Sequence, residues 1–401
     1  MAIWHINGGN RLEGACFVQG SKNAVLPILA ASIVCPTETE LMNVPCLSDV
    51  DASLSILRQL GCTAVREDND VYIDSRSISS NVIPRSMMEC MRSSVLFMGA
   101  LLARCGEVHL TAPGGCKLGA RPIDMHISAM KALGAEVKEC GCEIVCRAHR
   151  LKGARIALPY PSVGATENAM LAACAAEGET VITGAAREPE IEDLQEYLRK
   201  AGAYVSGAGT ADITISGFDA DSHIGHRIMP DRIAAATFLC AAAAAGGDIE
   251  LRGVDFRHFY RLQHFLKQAG CDIIASNRSL RLISDGKLGS AGRVETGPYP
   301  EFPTDMQPLL MAALLKASGK TDFVENVFDS RFGHTKELAR FGADISVEGR
   351  CAEVWGVREL TGAVVNAGDL RGAAAMVIAA LSAEGQSLVV DSGHIMRGYE
   401  H

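Results

Sequence analysis

Two hydrophobic phrases recur along this chain and divide it into units. The first is an apolar stretch, rich in alanine and leucine, that runs for several helical turns and ends at a glycine or just past a cysteine. Copies lie at 24–35, 92–106, 165–178, 231–246, 304–319 and 370–385. Apolar residues occupy nearly every side of these segments, which predicts helices buried all round. Short β-rich segments at 107–110, 180–182, 248–251 and 387–390 follow them and predict strands. The second phrase is a leucine or alanine, then glycine, then a small and a β-branched residue. It falls at Gly61, Gly134, Gly202, Gly270 and Gly342, about 70 residues apart. Glycine there predicts a left-handed stop between a helix and the next strand.

The first phrase occurs six times and the second five times. The sequence therefore reads as two lobes of three units with the last unit incomplete, a further helix and strand falling beyond His401. A break near 222–230 separates the third unit from the fourth. A missing element would bare an apolar face, which predicts lower stability, or a protein partner or oligomer that covers the short C-terminal end.

Composition narrows the function. The chain has 401 residues, 48% hydrophobic and 21% charged, an ordinary globular balance with core enough for two or three domains. A net charge of −9 speaks against nucleic-acid binding, so any arginine cluster is expected to serve a small anion. The start has no signal peptide, and the longest apolar runs are too short to span a bilayer, so a cytoplasmic protein without a membrane anchor is expected. Fourteen cysteines are scattered, with Cys35, Cys174 and Cys240 inside apolar helical runs, and read as reduced thiols. Cys140, Cys142, Cys146 and His149 are the one cluster with metal-site spacing, but they read better as an alternating strand after a turn, so no metal and no cofactor are expected.

The candidate chemistry centres on Pro113-Gly114-Gly115-Cys116-Lys117-Leu118-Gly119-Ala120-Arg121-Pro122-Ile123-Asp124. Glycines let backbone N–H groups approach a ligand, and arginine offers a fork for phosphate or carboxylate. A thiol beside fixed positive charge can act as acid or nucleophile. The segment reads as a mobile loop for an anionic substrate. No G-x-x-x-x-G-K-[ST] pattern is present, so Lys22 is not a P-loop lysine.

With the repeat and the loop, other phrases fall into place: Gly20-Ser21-Lys22-Asn23-Ala24, Met91-Arg92-Ser93-Ser94, Ser162-Val163-Gly164-Ala165-Thr166, Ala186-Arg187-Glu188-Pro189-Glu190, Pro230-Asp231-Arg232, Phe302-Pro303-Thr304-Asp305-Met306, Asn326-Val327-Phe328-Asp329-Ser330-Arg331-Phe332, Asp369-Leu370-Arg371 and Arg397-Gly398-Tyr399. Together they resemble the enolpyruvyl transferases, most closely the branch whose acceptor is UDP-N-acetylglucosamine. The resemblance implies two inside-out α/β domains of three units each, 22–229 and 1–21 plus 230–401, with the site in the cleft between them. It also implies transfer of enolpyruvyl from phosphoenolpyruvate to the 3′-hydroxyl of UDP-N-acetylglucosamine with release of phosphate. That is the first committed step of peptidoglycan precursor synthesis, and fosfomycin would act on it through Cys116.

Carried over residue by residue, the resemblance puts Lys22, Arg92, Arg121 and Arg397 around phosphoenolpyruvate, with Arg331 and Arg371 as further arginines of the site. Asp305 is implied at the sugar hydroxyl as base or final proton acceptor; read from the residues alone, it or Thr304 could equally cap the following helix. Cys116 is implied as proton donor or transient covalent partner. Arg121, Pro122, Ile123, Asp124 and Met125, with Ser162, Val163 and Gly164, are implied at the nucleotide, and Asn23 and Val327 at the sugar. His126 reads as a structural histidine. Tyr160 and Ser48 stand where the family carries lysine, which leaves open another nucleotide sugar as acceptor. Arg397 lies close to the chain end, where ordering is poor unless the segment is tied down. A catalytically silent UDP-sugar-binding homologue is the reading from another class.

Overall fold

The computed structural model describes residues 2–111, 123–219 and 223–400. The alanine-rich stretches are helices: Lys22–Ala31, Phe97–Cys105 behind the 3-10 turn Arg92–Leu96, Val163–Ala173, Arg232–Ala245, Gln307–Ala313 and Leu370–Ser382. In Val163–Ala173 every residue from Ala165 onward is buried. The expected 304–319 helix is shorter because Pro308 suits its first turn and Thr304 and Asp305 are engaged elsewhere.

A second set of helices lies nearer the surface: Ser48–Gln59, Asp124–Ala132, Pro189–Lys200, Tyr260–Gln268 and the short Thr335–Leu338. Each leads to one of the recurring glycines, whose φ runs from 90° at Gly342 to 103° at Gly270. A side chain at such a φ is strained, so the repeat of glycine is a backbone requirement.

Strands gather into six small sheets, several of them mixed. Asp212–Phe218 is typical: it pairs antiparallel with Glu179–Thr183 and with Ala203–Ser206, while Arg155–Ala157 pairs in parallel with the far edge of Glu179–Thr183. Ile213 and Ile215 face inward and are fully buried, as the period of two demands. Ala2–Asn7 pairs antiparallel with Gln386–Asp391, Trp4 opposite Val389, and Val364–Ala367 completes that sheet.

The chain divides into two compact units. One takes its described residues from 20–229, the other from the first 19 residues and from Pro230 onward. Each has its own apolar core. The expected break near 222–230 is a strand over its described part: His223–Arg227 pairs in parallel with Glu38–Met42. Ile224, His226 and Ile228 are each 1% exposed, and His226 Nε2 lies 3.1 Å from Asp193 Oδ1. Cys140 and Cys146 lie in a hairpin of Glu136–Cys140 and Glu143–Arg147. The described cysteines are free thiols.

Small residues set how closely the inner helices approach. A Cβ on Gly99 would lie 2.3 Å from the backbone oxygen of Asn168 and 2.4 Å from its Oδ1. Gly99→Ala is therefore expected to destabilise the protein by about 2–3 kcal/mol through overpacking. Urea unfolding checks this; an unchanged midpoint would mean that the two helices part without cost.

Candidate active site

The buried helices carry polar side chains mainly at their N-terminal ends, where unsatisfied N–H groups call for acceptors. In the unit built on 20–229, Lys22 opens the first of them. It is 7% exposed, and its Nζ lies 2.7 Å from Asp49 Oδ2 in the first turn of Ser48–Gln59. Burying the ammonium is tolerable because the carboxylate is buried with it. Asn23 follows, half-buried, and Arg92 starts the 3-10 turn ahead of Phe97–Cys105.

Ser162 caps Val163–Ala173, its Oγ accepting from the Ala165 N–H, which puts Val163 and Gly164 in the first turn. Ile123 precedes Asp124–Ala132, and Asp124 and Met125 begin it. Inside that helix His126 is buried; burial, then the nearby Arg92 guanidinium, push its pKa down to about 4, against a smaller pull from Asp124. Cys116, Arg121 and Pro122 lie outside the described residues.

Glu167 is buried in Val163–Ala173. Its Oε1 has no hydrogen-bond partner among the described residues, and burial, followed by the charges of Glu190 and Glu188, holds its carboxyl well above the usual range.

In the other unit Asp305 is gripped by two arginines. Arg331 donates through Nη2 to Asp305 Oδ1 at 3.1 Å, and Arg371 donates through Nε and Nη2 to Oδ2, both at 3.2 Å. Arg331 also donates twice to the Thr304 carbonyl, at 3.1 and 2.9 Å. The arginine side chains are 1% and 3% exposed, whereas that of Asp305 keeps 32%. Asp305 is not a helix cap: the helix starts at Gln307, and Thr304 donates instead to Glu325. Burial works against the Arg371 charge, but Asp305, then Tyr399 and Asp231, outweigh it and raise its pKa.

Glu325, fully buried, ties this turn to the next loop. Its Oε1 accepts from the N–H groups of Val327 and Phe328, its Oε2 from Thr304 Oγ1. Asp369 caps Leu370–Ser382 through the N–H groups of Arg371 and Gly372 and stands 3.9 Å from Arg331 Nη1. Arg397 sits half-buried in the turn Ile395–Arg397.

Comparison with known proteins adds to this geometry. Residues 6–401 match the family described as EPSP synthase (3-phosphoshikimate 1-carboxyvinyltransferase). The UDP-N-acetylglucosamine 1-carboxyvinyltransferase 2 of Caldanaerobacter subterraneus is 45% identical over 400 residues, covering 100% of this chain and 96% of that one. This chain belongs to the enolpyruvyl transferase family. The UDP-N-acetylglucosamine 1-carboxyvinyltransferase of Trichlorobacter lovleyi is also 45% identical, covering 98% of this chain and 94% of its own length. The enolpyruvyl transferase NikO of Streptomyces tendae shares the fold, with a TM-score of 0.89 at 24% identity over 99% of this chain and 94% of that one. EPSP synthase from Acinetobacter baumannii does so at 0.76 and 21% identity, over 99% and 95%.

Within this enolpyruvyl transferase the sequence had not pointed to Asp49, Glu325 or Glu167, and Asp369 had entered only as part of a phrase, without a role. Asp369 had a signal, an aspartate just ahead of an apolar helix. Asp49 and Glu325 had none, because each meets its partner only in the fold. Tyr160 is 40% exposed and Ser48 is exposed at the start of its helix. Among the described residues no group of three or more His, Cys, Asp or Glu could hold a metal, and no helix is long and apolar enough to cross a membrane.

Arg331→Met is expected to cost about 2–3 kcal/mol, since it strips Asp305 Oδ1 and the Thr304 carbonyl of their donors. Denaturant titration checks this, and a loss under 1 kcal/mol would refute the clamp. A second outcome concerns pH. His126 and His334 are both held near a pKa of about 4, each by burial first and a neighbouring arginine second. Unfolded histidine titrates near 6.5, so the unfolded chain binds more protons between pH 4 and 6.5 and stability rises with pH there. At pH 5 each should withdraw on the order of 2 kcal/mol relative to pH 7. Equal unfolding midpoints at the two pH values would contradict it.

Proposed function

We propose that this chain transfers the enolpyruvyl group of phosphoenolpyruvate to the 3′-hydroxyl of UDP-N-acetylglucosamine and releases phosphate, the first committed step of peptidoglycan precursor synthesis. The observation that carries the reading is the 45% identity, over essentially the whole chain, to relatives named for that reaction. The geometry around Asp305 adds to it.

Three demands must be met. Two multiply charged anions are held together, a hydroxyl gives up a proton, and the vinyl carbon gains one. Lys22, Arg92, Arg121 and Arg397 serve the first demand as fixed cations for phosphate and carboxylate oxygens. Arg121 to Met125 and Ser162 to Gly164 hold the nucleotide, Asn23 and Val327 the sugar.

Asp305, held in place by Arg331 and Arg371, takes the hydroxyl proton. A carboxylate is in any case far too weak a base to strip an unactivated hydroxyl. The proton leaves as the new C–O bond forms and the oxygen becomes acidic. Arg331, turned onto Thr304 and Asp305, works as a positioning residue in this scheme. Cys116 serves the vinyl carbon as acid or as covalent partner.

Phosphate release with phosphoenolpyruvate and UDP-N-acetylglucosamine tests the proposal. Release should depend on the sugar nucleotide, and Asp305→Asn and Cys116→Ala should each lower it by about 100-fold or more. Release only with a different nucleotide sugar would move the acceptor, as Tyr160 and Ser48 allow. Binding of UDP-N-acetylglucosamine without any release would make the chain a silent homologue.

A further inference from the structure

Arg331 and Arg371 grip Asp305 from two different segments, so the grip depends on how those segments are held together. Arg331 opens the 3-10 turn Arg331–His334, and Arg371 lies in the first turn of Leu370–Ser382. His334 joins the two. Its Nδ1 lies 3.0 Å from the Arg331 carbonyl. A carbonyl only accepts, so Nδ1 carries a proton and donates it. The same residue is packed on the helix start: a Cβ built on Gly372 would stand 3.1 Å from His334 Cβ. The Gly372 N–H is itself held by Asp369, which also accepts from the Arg371 N–H.

The second ring nitrogen is placed differently. Nε2 is buried and has no hydrogen-bond partner among the described residues, and His334 as a whole is 5% exposed. A proton there would add a buried cation near the Arg331 guanidinium. Burial, then that guanidinium, push the ring's pKa down to about 4, against smaller pulls from Asp369 and the Arg331 carbonyl. At neutral pH the ring is therefore uncharged, with its proton on Nδ1. Phenylalanine would fill the space without leaving a buried nitrogen unpaired. What the imidazole adds here is the bond from Nδ1 to Arg331.

We infer that His334 is a positioning residue for Asp305: through its Nδ1–H bond and its packing on Gly372 it fixes the Arg331 turn against the start of Leu370–Ser382. It thereby sets how the two guanidiniums meet the carboxylate. The inference rests on the proposed function, in which Asp305 takes the hydroxyl proton. A proton acceptor must stand within hydrogen-bond reach of its proton, so a small shift of the Arg331 turn reaches the chemistry through Asp305.

Steady-state phosphate release by the full chain tests it, in a cycle of His334→Phe, Asp305→Asn and the double variant. His334→Phe should lower kcat about 10-fold and leave the KM for phosphoenolpyruvate within about twofold, because a proton acceptor acts in the transition state. His334→Asn, whose amide can return an N–H to the Nδ1 position, should recover most of the loss. With Asp305 already replaced, His334→Phe should cost less than about twofold more. Equal fractional losses in the two backgrounds would overturn the inference, as would full activity in His334→Phe or equal losses in His334→Phe and His334→Asn. Ring-nitrogen NMR of the wild type needs no variant to fold: the proton should sit on Nδ1 at pH 7, and a proton on Nε2 would overturn the inference. A wild type without sugar-dependent release would instead remove the proposed function, and the inference with it.

Discussion

Burial of the inner helices on all sides is the constraint from which the rest follows. A helix such as Val163–Ala173, with every residue from Ala165 onward out of water, has no solvent-facing side on which to carry chemistry. Its C-terminal end runs into a turn and a strand and is consumed by the fold. The N-terminal end remains, with up to four N–H groups that want acceptors and a partial positive charge that favours anions. Lys22, Arg92, Ser162, Asp231, Asp305 and Asp369 all lie at or just ahead of such ends. A fold made of alanine-rich helices thereby produces sites for anionic ligands as a matter of geometry.

Fixed cations at those ends would repel one another and resist burial, and the structure answers with carboxylates. Lys22 is held by Asp49, Arg371 by Asp305, and Arg331 by Asp305 with Asp369 further off. Replacing such a pair with apolar residues often does no harm to stability, so the pairs are better understood as holding charges in position. A guanidinium already oriented needs little rearrangement when negative charge develops beside it, which is where electrostatic catalysis gains most. Glu167 is the opposite case: burial, then the charges of Glu190 and Glu188, disfavour its ionised form.

The repeat was the most legible feature of the sequence because both of its signals are local. Glycine at 61, 134, 202, 270 and 342 reports a left-handed residue wherever it falls, and an all-apolar run reports a buried helix. The strand at His223–Arg227 was harder to see because a glycine and two histidines interrupt its alternation, and His226 is buried only with help from Asp193. At the site, single residues matched as members of phrases, but the contacts between phrases did not show. Nothing near Glu325 in sequence announces Thr304, and nothing near Asn168 announces His126, since hydrogen bonds between distant segments leave no period in the chain.

The same reasoning bears on Tyr160, which replaces a cation at the expected nucleotide site. A lysine contributes a strong but mobile point charge, and its loss matters most where no other positive potential is fixed. Close to Tyr160 the chain turns into Val163–Ala173, with the Tyr160 carbonyl accepting from the Ser162 N–H at 2.7 Å. The dipole of that helix and its first-turn N–H groups are part of the backbone, so neither needs a charged side chain to exist. A phosphate group bound there would be held by directed hydrogen bonds more than by net charge, and its binding would depend less on salt than a lysine contact does. The substitution therefore changes how the negative charge is met without removing the means to meet it.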